Sequence, residues 1–158
     1  MASNVKPISD GYHTITPYLS IKGAAAALEF YKRAFGAEEI YRLGMPDGRI
    51  GHAEIQIGNS RIMMADEMPE MPDAIAKSPK ALGGTTHGLC LYVSDVDARF
   101  QRAVEAGAIV KRPVKDQFYG DRSGTVEDPF GHLWTIATHV EDVSMEEIVR
   151  RAAALAKH

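Results

Sequence analysis

Two residues able to do acid–base chemistry, His52 and Glu54, stand two positions apart in a segment, 49–57, that alternates cleanly. Ala53, Ile55 and Ile57 fall on one side of it, and His52, Glu54 and Gln56 on the other. On an extended chain that spacing makes the imidazole and the carboxylate neighbours on one face. The carboxylate orients the ring and favours its charged form, as a general base over a bound ligand requires. The same pair also reads as a solvated strand face or a dimer edge. Tyr18 and Tyr92 hold corresponding places in two similar halves of the chain, where a phenol can stack on a ligand, hydrogen-bond to it or simply fill space. Asp121 and Arg122 read either as an anion clamp or as an ion pair fixing the loop 117–124. His132, after Asp128-Pro129-Phe130-Gly131, reads as packing and hydrogen-bonding its turn rather than binding a ligand. Cys90, placed on the inward face of a central strand, has no neighbour in sequence that favours its thiolate, so nucleophilic duty is not expected of it.

The elements that position these residues form a repeat. Each half runs strand, helix, then three strands, with Gly36 or Gly107 just past the helix and a late hairpin at Gly58-Asn59-Ser60 or at Asp128-Pro129-Phe130-Gly131. The first strand is predicted at 14–22, and a helix at 23–35 with Ala24, Leu28, Tyr31 and Phe35 on one stripe. Strands follow at 38–43, 49–57 and 61–66. The second half gives a strand at 86–93, a helix at 96–106 capped by Ser94 or Asp95, and strands at 109–112, 124–127 and 133–139. A last helix at 144–157 carries a capping box, Ser144 with Glu147. These spans define one domain over 1–158: module one at 13–66, a linker at 67–84, module two at 85–140 and the terminal helix at 144–157. Three prolines mark the linker as a mobile segment or a lid.

Burial of the two helix stripes decides the sheet faces. Leu19, Ile21, Ala53, Ile55, Leu89, Leu91, Val93, Trp134 and Ile136 pack on the helices. The opposite, polar face carries Thr16, Tyr18, Ser20, His52, Glu54, Gln56, Cys90, Tyr92, Leu133, Thr135 and Ala137, and is expected to line a concave cavity between the modules. The expected architecture is α+β: two βαβββ modules forming a curved, partly open mixed-sheet barrel with helices outside.

Composition narrows the function classes. With 158 residues and 45% hydrophobic content the chain can bury a proper core. A net charge of -3, with scattered basic residues, argues against a nucleic-acid or anionic-membrane partner. One cysteine excludes an internal disulfide, and no segment reads as a signal peptide or a membrane span, so a cytoplasmic location is expected. Gly83-Gly84 neither follows a strand nor opens a helix, which removes a nucleotide-binding reading.

The paired modules resemble the vicinal oxygen chelate superfamily of glyoxalase I, extradiol dioxygenases and fosfomycin and bleomycin resistance proteins. The run from Asp116-Gln117-Phe118-Tyr119-Gly120-Asp121 to Gly131-His132-Leu133-Trp134 is similar to its PhnB-like branch, as is Leu91-Tyr92-Val93-Ser94-Asp95-Val96-Asp97. Metal-dependent members hold one divalent ion with His and Glu side chains of the concave face. The resemblance puts the four ligand places on Thr16, near Met63 (with Asp66 and Glu67 at the strand's end), on Gly88 one past His87, and on Thr135. Threonine, methionine and glycine do not make a three- or four-ligand site for such an ion, so no fixed metal cofactor is expected.

The functional reading is a small-molecule-binding protein whose cavity takes an organic ligand, aromatic or amphipathic, in a homodimer whose sheet edges are covered. His52 and Glu54 are its candidate catalytic pair. Thr16, Tyr18, Gln56, Met63, Cys90, Tyr92 and Thr135 are its candidate ligand contacts. The alternatives are a divalent-metal-dependent lyase or dioxygenase with His52, Glu54 or His87 as unorthodox ligands, and a structural protein whose cavity is filled by Tyr18, Met63, Tyr92 and Leu133.

Overall fold

The computed structural model describes residues 5–71 and 76–155. The chain divides into two compact units, Met1–Gly84 and Thr85–His158. The first holds β1 (Tyr18–Ile21), α1 (Ala24–Phe35), β2 (Glu38–Gly44), β3 (Ile50–Ile57), β4 (Ser60–Asp66) and a short α2 (Pro79–Leu82). The second holds β5 (Gly88–Tyr92), α3 (Val96–Glu105), β6 (Ile109–Asp116), β7 (Asp121–Glu127), β8 (Leu133–His139) and α4 (Met145–Leu155). Each unit folds its four strands into one mixed sheet, ordered β1-β4-β3-β2 and β5-β8-β7-β6. The first strand of each runs parallel to the last, and the remaining pairs are antiparallel. The fold is therefore α+β with two βαβββ modules. Neither sheet closes on itself as a barrel, since each keeps two edge strands.

The helix stripes set the core. In α1 the expected Ala24, Leu28, Tyr31 and Phe35 are buried, joined by Ala27, Phe30 and Ala34. They meet Leu19, Ile21, Ala53, Ile55 and Met64, all at most 1% exposed. Each fully buried Leu, Ile or Met side chain among these contributes about 2 kcal/mol. Gly36 ends α1 at φ 69, donating to the carbonyl of Lys32, as its position past the stripe predicts. The start of α1 is held from outside the helix. Asp66, ending β4, accepts from the backbone N–H groups of Gly23 and Ala24 at 2.8 and 2.9 Å, and from that of Ile50 at 2.7 Å. In the second unit Phe100 of α3 lies against β7 at Gly124, where an added Cβ would stand 2.6 Å from the ring.

Several expected boundaries move. The first strand begins only at Tyr18, which leaves Thr16 in the preceding segment. β6 runs on to Asp116 and β7 begins at Asp121, so Asp121 and Arg122 lie within a strand rather than before one. β5 is an edge strand, not a central one. Leu89 and Leu91, on the face expected to pack on the helices, are half-buried, and Cys90 is exposed. The linker contains α2, whose N-cap Ser78 is fully buried and whose backbone N–H donates to Glu67 at 3.0 Å. Part of the linker, 72–75, lies outside the described residues. Ser144 caps α4 through the N–H of Glu147 at 3.2 Å, while the Glu147 carboxylate turns to Arg150 and Arg151. Among the described residues no helix is long and apolar enough to cross a membrane.

Candidate functional site

The polar face of the first sheet is organised around a buried carboxylate. Glu54 points away from Ala53 and Ile55 as the alternation requires, yet it is only 3% exposed. Four groups converge on it. The hydroxyls of Tyr12 and Tyr41 donate to its two oxygens, the latter at 2.9 Å. His52 Nε2 lies 3.2 Å from Oε1, and Arg61 Nη1 lies 3.5 Å from Oε2. The Arg61 guanidinium also sits over the Tyr12 ring, 4.5 Å from its centre, a cation–π contact. A buried charge needs this many partners, because an unpaired carboxylate out of water is strongly unfavourable.

From that anchor the network runs outward. His52 Nδ1 is 2.9 Å from the hydroxyl of Tyr18 on β1, a side chain 52% exposed. The imidazole lies between Tyr18 and Tyr41, with ring centres 5.4 and 5.7 Å away. The series buried carboxylate, imidazole, half-exposed phenol can carry a proton toward solvent or a ligand. Burial, and secondarily Tyr41, push the Tyr18 phenol above its ordinary range, so it serves as a protonated hydroxyl rather than a phenolate.

Tyr12 and Tyr41 escape a reading of the sequence. Tyr12 precedes the first strand and has no periodicity to place it. Tyr41 is brought opposite Glu54 by a register shift between Glu39 and Tyr41. Without that shift Ile40 would hold the place.

The second unit builds its own network. Asp121, 6% exposed at the start of β7, accepts from the Tyr92 hydroxyl at 2.7 Å. Its other oxygen lies 2.8 Å from His139 Nδ1, and His139 Nε2 lies 2.9 Å from Asp142. The hydrogen bond to Asp121 holds the Tyr92 phenol up at about 12. Asp142 and then Asp121 raise the His139 imidazole above its ordinary value. Although Cys90 is exposed as a residue, partial desolvation of its sulfur, with Asp121 nearby, pushes the thiol up, against nucleophilic use. Arg122 pairs with Asp97 and Asp116, at 2.8 and 3.0 Å, and Asp121 with Tyr92 and His139, so the two adjacent residues form neither a common anion clamp nor the expected loop-fixing pair. The Asp128 carboxylate accepts from the backbone of Phe130 and His132 and from the Trp134 indole, so His132 belongs to a built turn.

Tyr18 and Tyr92 are not equivalent positions. Tyr18 lies six residues before its helix and Tyr92 only four. In the ladders Tyr18 pairs Met63, which pairs Glu54, while Cys90 pairs Thr135, which pairs Thr125. Cys90 is thus the counterpart of Tyr18, and Tyr92 that of Ser20. Of the other candidate contacts, Met63 is a half-buried ladder neighbour of Tyr18 and Glu54. Gln56 turns its amide to the carbonyl of Gly58 at 3.1 Å.

A family model described as the Glyoxalase/Bleomycin resistance protein/Dioxygenase superfamily matches residues 12–136. The chain belongs to this superfamily. An uncharacterized protein of Mycobacterium bovis is 43% identical to it over 148 residues, covering 94% of this chain and 93% of that one. Among solved structures, TioX from Micromonospora sp. ML1 superposes with a TM-score of 0.64 at 29% identity, over 81% of this chain and 99% of that one. An Arabidopsis thaliana gene product superposes at 0.62 with 26% identity, over 80% and 98%.

The residues present do not fit the divalent ion that metal-dependent superfamily members hold. At the places the resemblance assigns, Thr135 spends its hydroxyl on Thr125 at 3.0 Å, Met63 offers a thioether and Gly88 nothing. The nearby carboxylates have other work: Asp66 binds three backbone N–H groups, and Glu67 binds that of Ser78. His52 has both ring nitrogens engaged. Among the described residues no three His, Cys, Asp or Glu side chains are grouped as metal ligands.

Proposed function

We propose that this superfamily member binds a small organic molecule, aromatic or amphipathic, on the polar face of its first sheet without a resident metal. The observation that carries the reading is the chain of hydrogen bonds from buried Glu54 through His52 to half-exposed Tyr18. A carboxylate buried with two tyrosines and an arginine is an unfavourable way to make a plain surface, and its outward end is an aromatic hydroxyl. Concave sites pair aromatic walls with a few polar anchors, and these residues supply both. His52 with Glu54 is the acid–base pair if turnover follows binding. Tyr18, Met63 and Gln56 are the ligand contacts proposed on this sheet, with Thr16 in the segment leading to it. Cys90, Tyr92 and Thr135 are proposed as contacts on the polar face of the second sheet, taken by itself. The sequence run 116–134 supports placement in the PhnB-like branch, the single cysteine a cytoplasmic location, and the open sheet edges a homodimer.

The test is a thermal-shift screen of small aromatic compounds on the full chain, followed by titration calorimetry of each hit. Hits should weaken by about tenfold or more in Tyr18→Ala, given stacking plus a hydrogen bond. Hits that bind Tyr18→Ala and His52→Ala as tightly as the parent would overturn the reading. So would a metal equivalent retained through purification without chelators and lost in Thr135→Ala.

A further inference from the structure

Glu54 as a carboxylate has only lone pairs to offer, so His52 Nε2, 3.2 Å away, carries a hydrogen in either charge state of the ring. In the neutral ring Nδ1 is then the acceptor, and the Tyr18 hydroxyl donates to it across 2.9 Å. The phenol oxygen keeps only lone pairs for anything that approaches from outside. When His52 gains a proton, Nδ1–H becomes a donor and points at the same oxygen. The Tyr18 proton must leave that line and turn outward.

From this geometry we infer that Tyr18 is the specificity-determining group of the proposed site, and that the charge on His52 reverses the ligand it selects. With neutral His52 the site takes ligands that donate a hydrogen bond. With protonated His52 it takes ligands that accept one, such as aryl ketones, and their binding takes up a proton. The inference rests on the small-molecule reading above and adds the ligand's hydrogen-bonding class.

The surroundings favour a switch at His52 rather than elsewhere. Facing the ring within the first unit are Tyr18 from β1, Tyr41 from β2 and Glu54 on β3 itself. Tyr12, before β1, and Arg61, on β4, meet the other oxygen of Glu54, and the Arg61 guanidinium opposes a charge on the ring through space. Of these groups imidazole alone ordinarily changes charge between pH 5 and 8. The change is local, because Glu54 accepts from Nε2 before and after it.

The test uses two neutral probes that do not titrate in this range: indole, which only donates, and acetophenone, which only accepts. Between about pH 8 and about pH 5, indole affinity should fall and acetophenone affinity should rise, each by about fivefold, the worth of one net hydrogen bond. Tyr18→Phe and His52→Gln should flatten both profiles. Shifts in the same direction for both probes, or opposed shifts that persist in Tyr18→Phe, would overturn the inference. Nitrogen-15 spectra of the free protein above pH 8 should show neutral His52 protonated at Nε2. The Nδ1–H form would overturn the switch alone. Binding of neither probe at any pH would overturn the ligand class together with the functional reading, so the two failures are distinct.

Discussion

The two sheets use the same three kinds of side chain in different order. In the first, histidine lies between phenol and carboxylate: Tyr18, His52, Glu54. In the second, carboxylate lies between phenol and histidine: Tyr92, Asp121, His139. Order decides what a proton can do. A carboxylate in the middle claims the Tyr92 proton whatever the charge on His139, so that phenol is locked. An imidazole in the middle either accepts from Tyr18 or donates to it. The anchors differ as well, because Glu54 gathers four partners and Asp121 two.

Removing the anchors is the hardest blow to that contrast. Glu54→Ala strands two phenols, an imidazole and a largely buried guanidinium, and should cost about 4 kcal/mol. Asp121→Ala should cost about 2 kcal/mol, having fewer groups to strand. Urea unfolding of both variants checks this, and equal losses would erase the distinction. Next in size comes Gly120→Ala. Gly120 holds φ 101, accepts from the N–H groups of Val140 and Glu141, and leaves no room for a Cβ beside the Glu141 carbonyl. The substitution should cost about 2 kcal/mol and loosen the end of β8, and with it His139, while leaving the Tyr18 network intact. Hydrogen exchange at Val140 and Glu141 reads it.

The remaining predictions concern protonation. Asp121→Asn should return the Tyr92 phenol from about 12 toward the usual ~10, seen by ultraviolet titration. Because the folded value is the raised one, the Tyr92 contribution to stability is complete below ~10 and is lost as pH rises toward about 12. The smallest effect belongs to His139. Its raised value means a contribution complete below the ordinary ~6.5 and lost as pH climbs through the folded value. His139→Gln should flatten the stability profile in that window.

Periodicity made half of this visible. The two-residue alternation put His52 and Glu54 together and sent Ala53 and Ile55 to the core, and the helix stripe named the buried face of α1. The partners of Glu54 were hidden for separate reasons. Tyr12 and Arg61 meet it through tertiary contact alone, from an irregular segment and a neighbouring strand. Asp121 and His139 became a pair only once β7 began three residues earlier than its apolar pattern suggested. Matching Tyr18 to Tyr92 by their type, rather than by distance to the following helix, misplaced their equivalence by two residues.

The pairing of β2 with β3 carries a second offset that balances the first. After the shift between Glu39 and Tyr41, another falls between Leu43 and Gly44, where Leu43 pairs His52 but Gly44 pairs Ile50. Ile50 is buried although it stands an odd number of residues from Ala53. The two offsets act like a frameshift and its suppressor. Only the stretch between them, Tyr41 to Leu43 against His52 to Glu54, is read in the altered frame, and the strands on either side keep their places. Gain or loss of a single residue at either end could therefore redraw the hydrogen-bonding surface around Glu54 and leave the hydrophobic layer beneath it unedited.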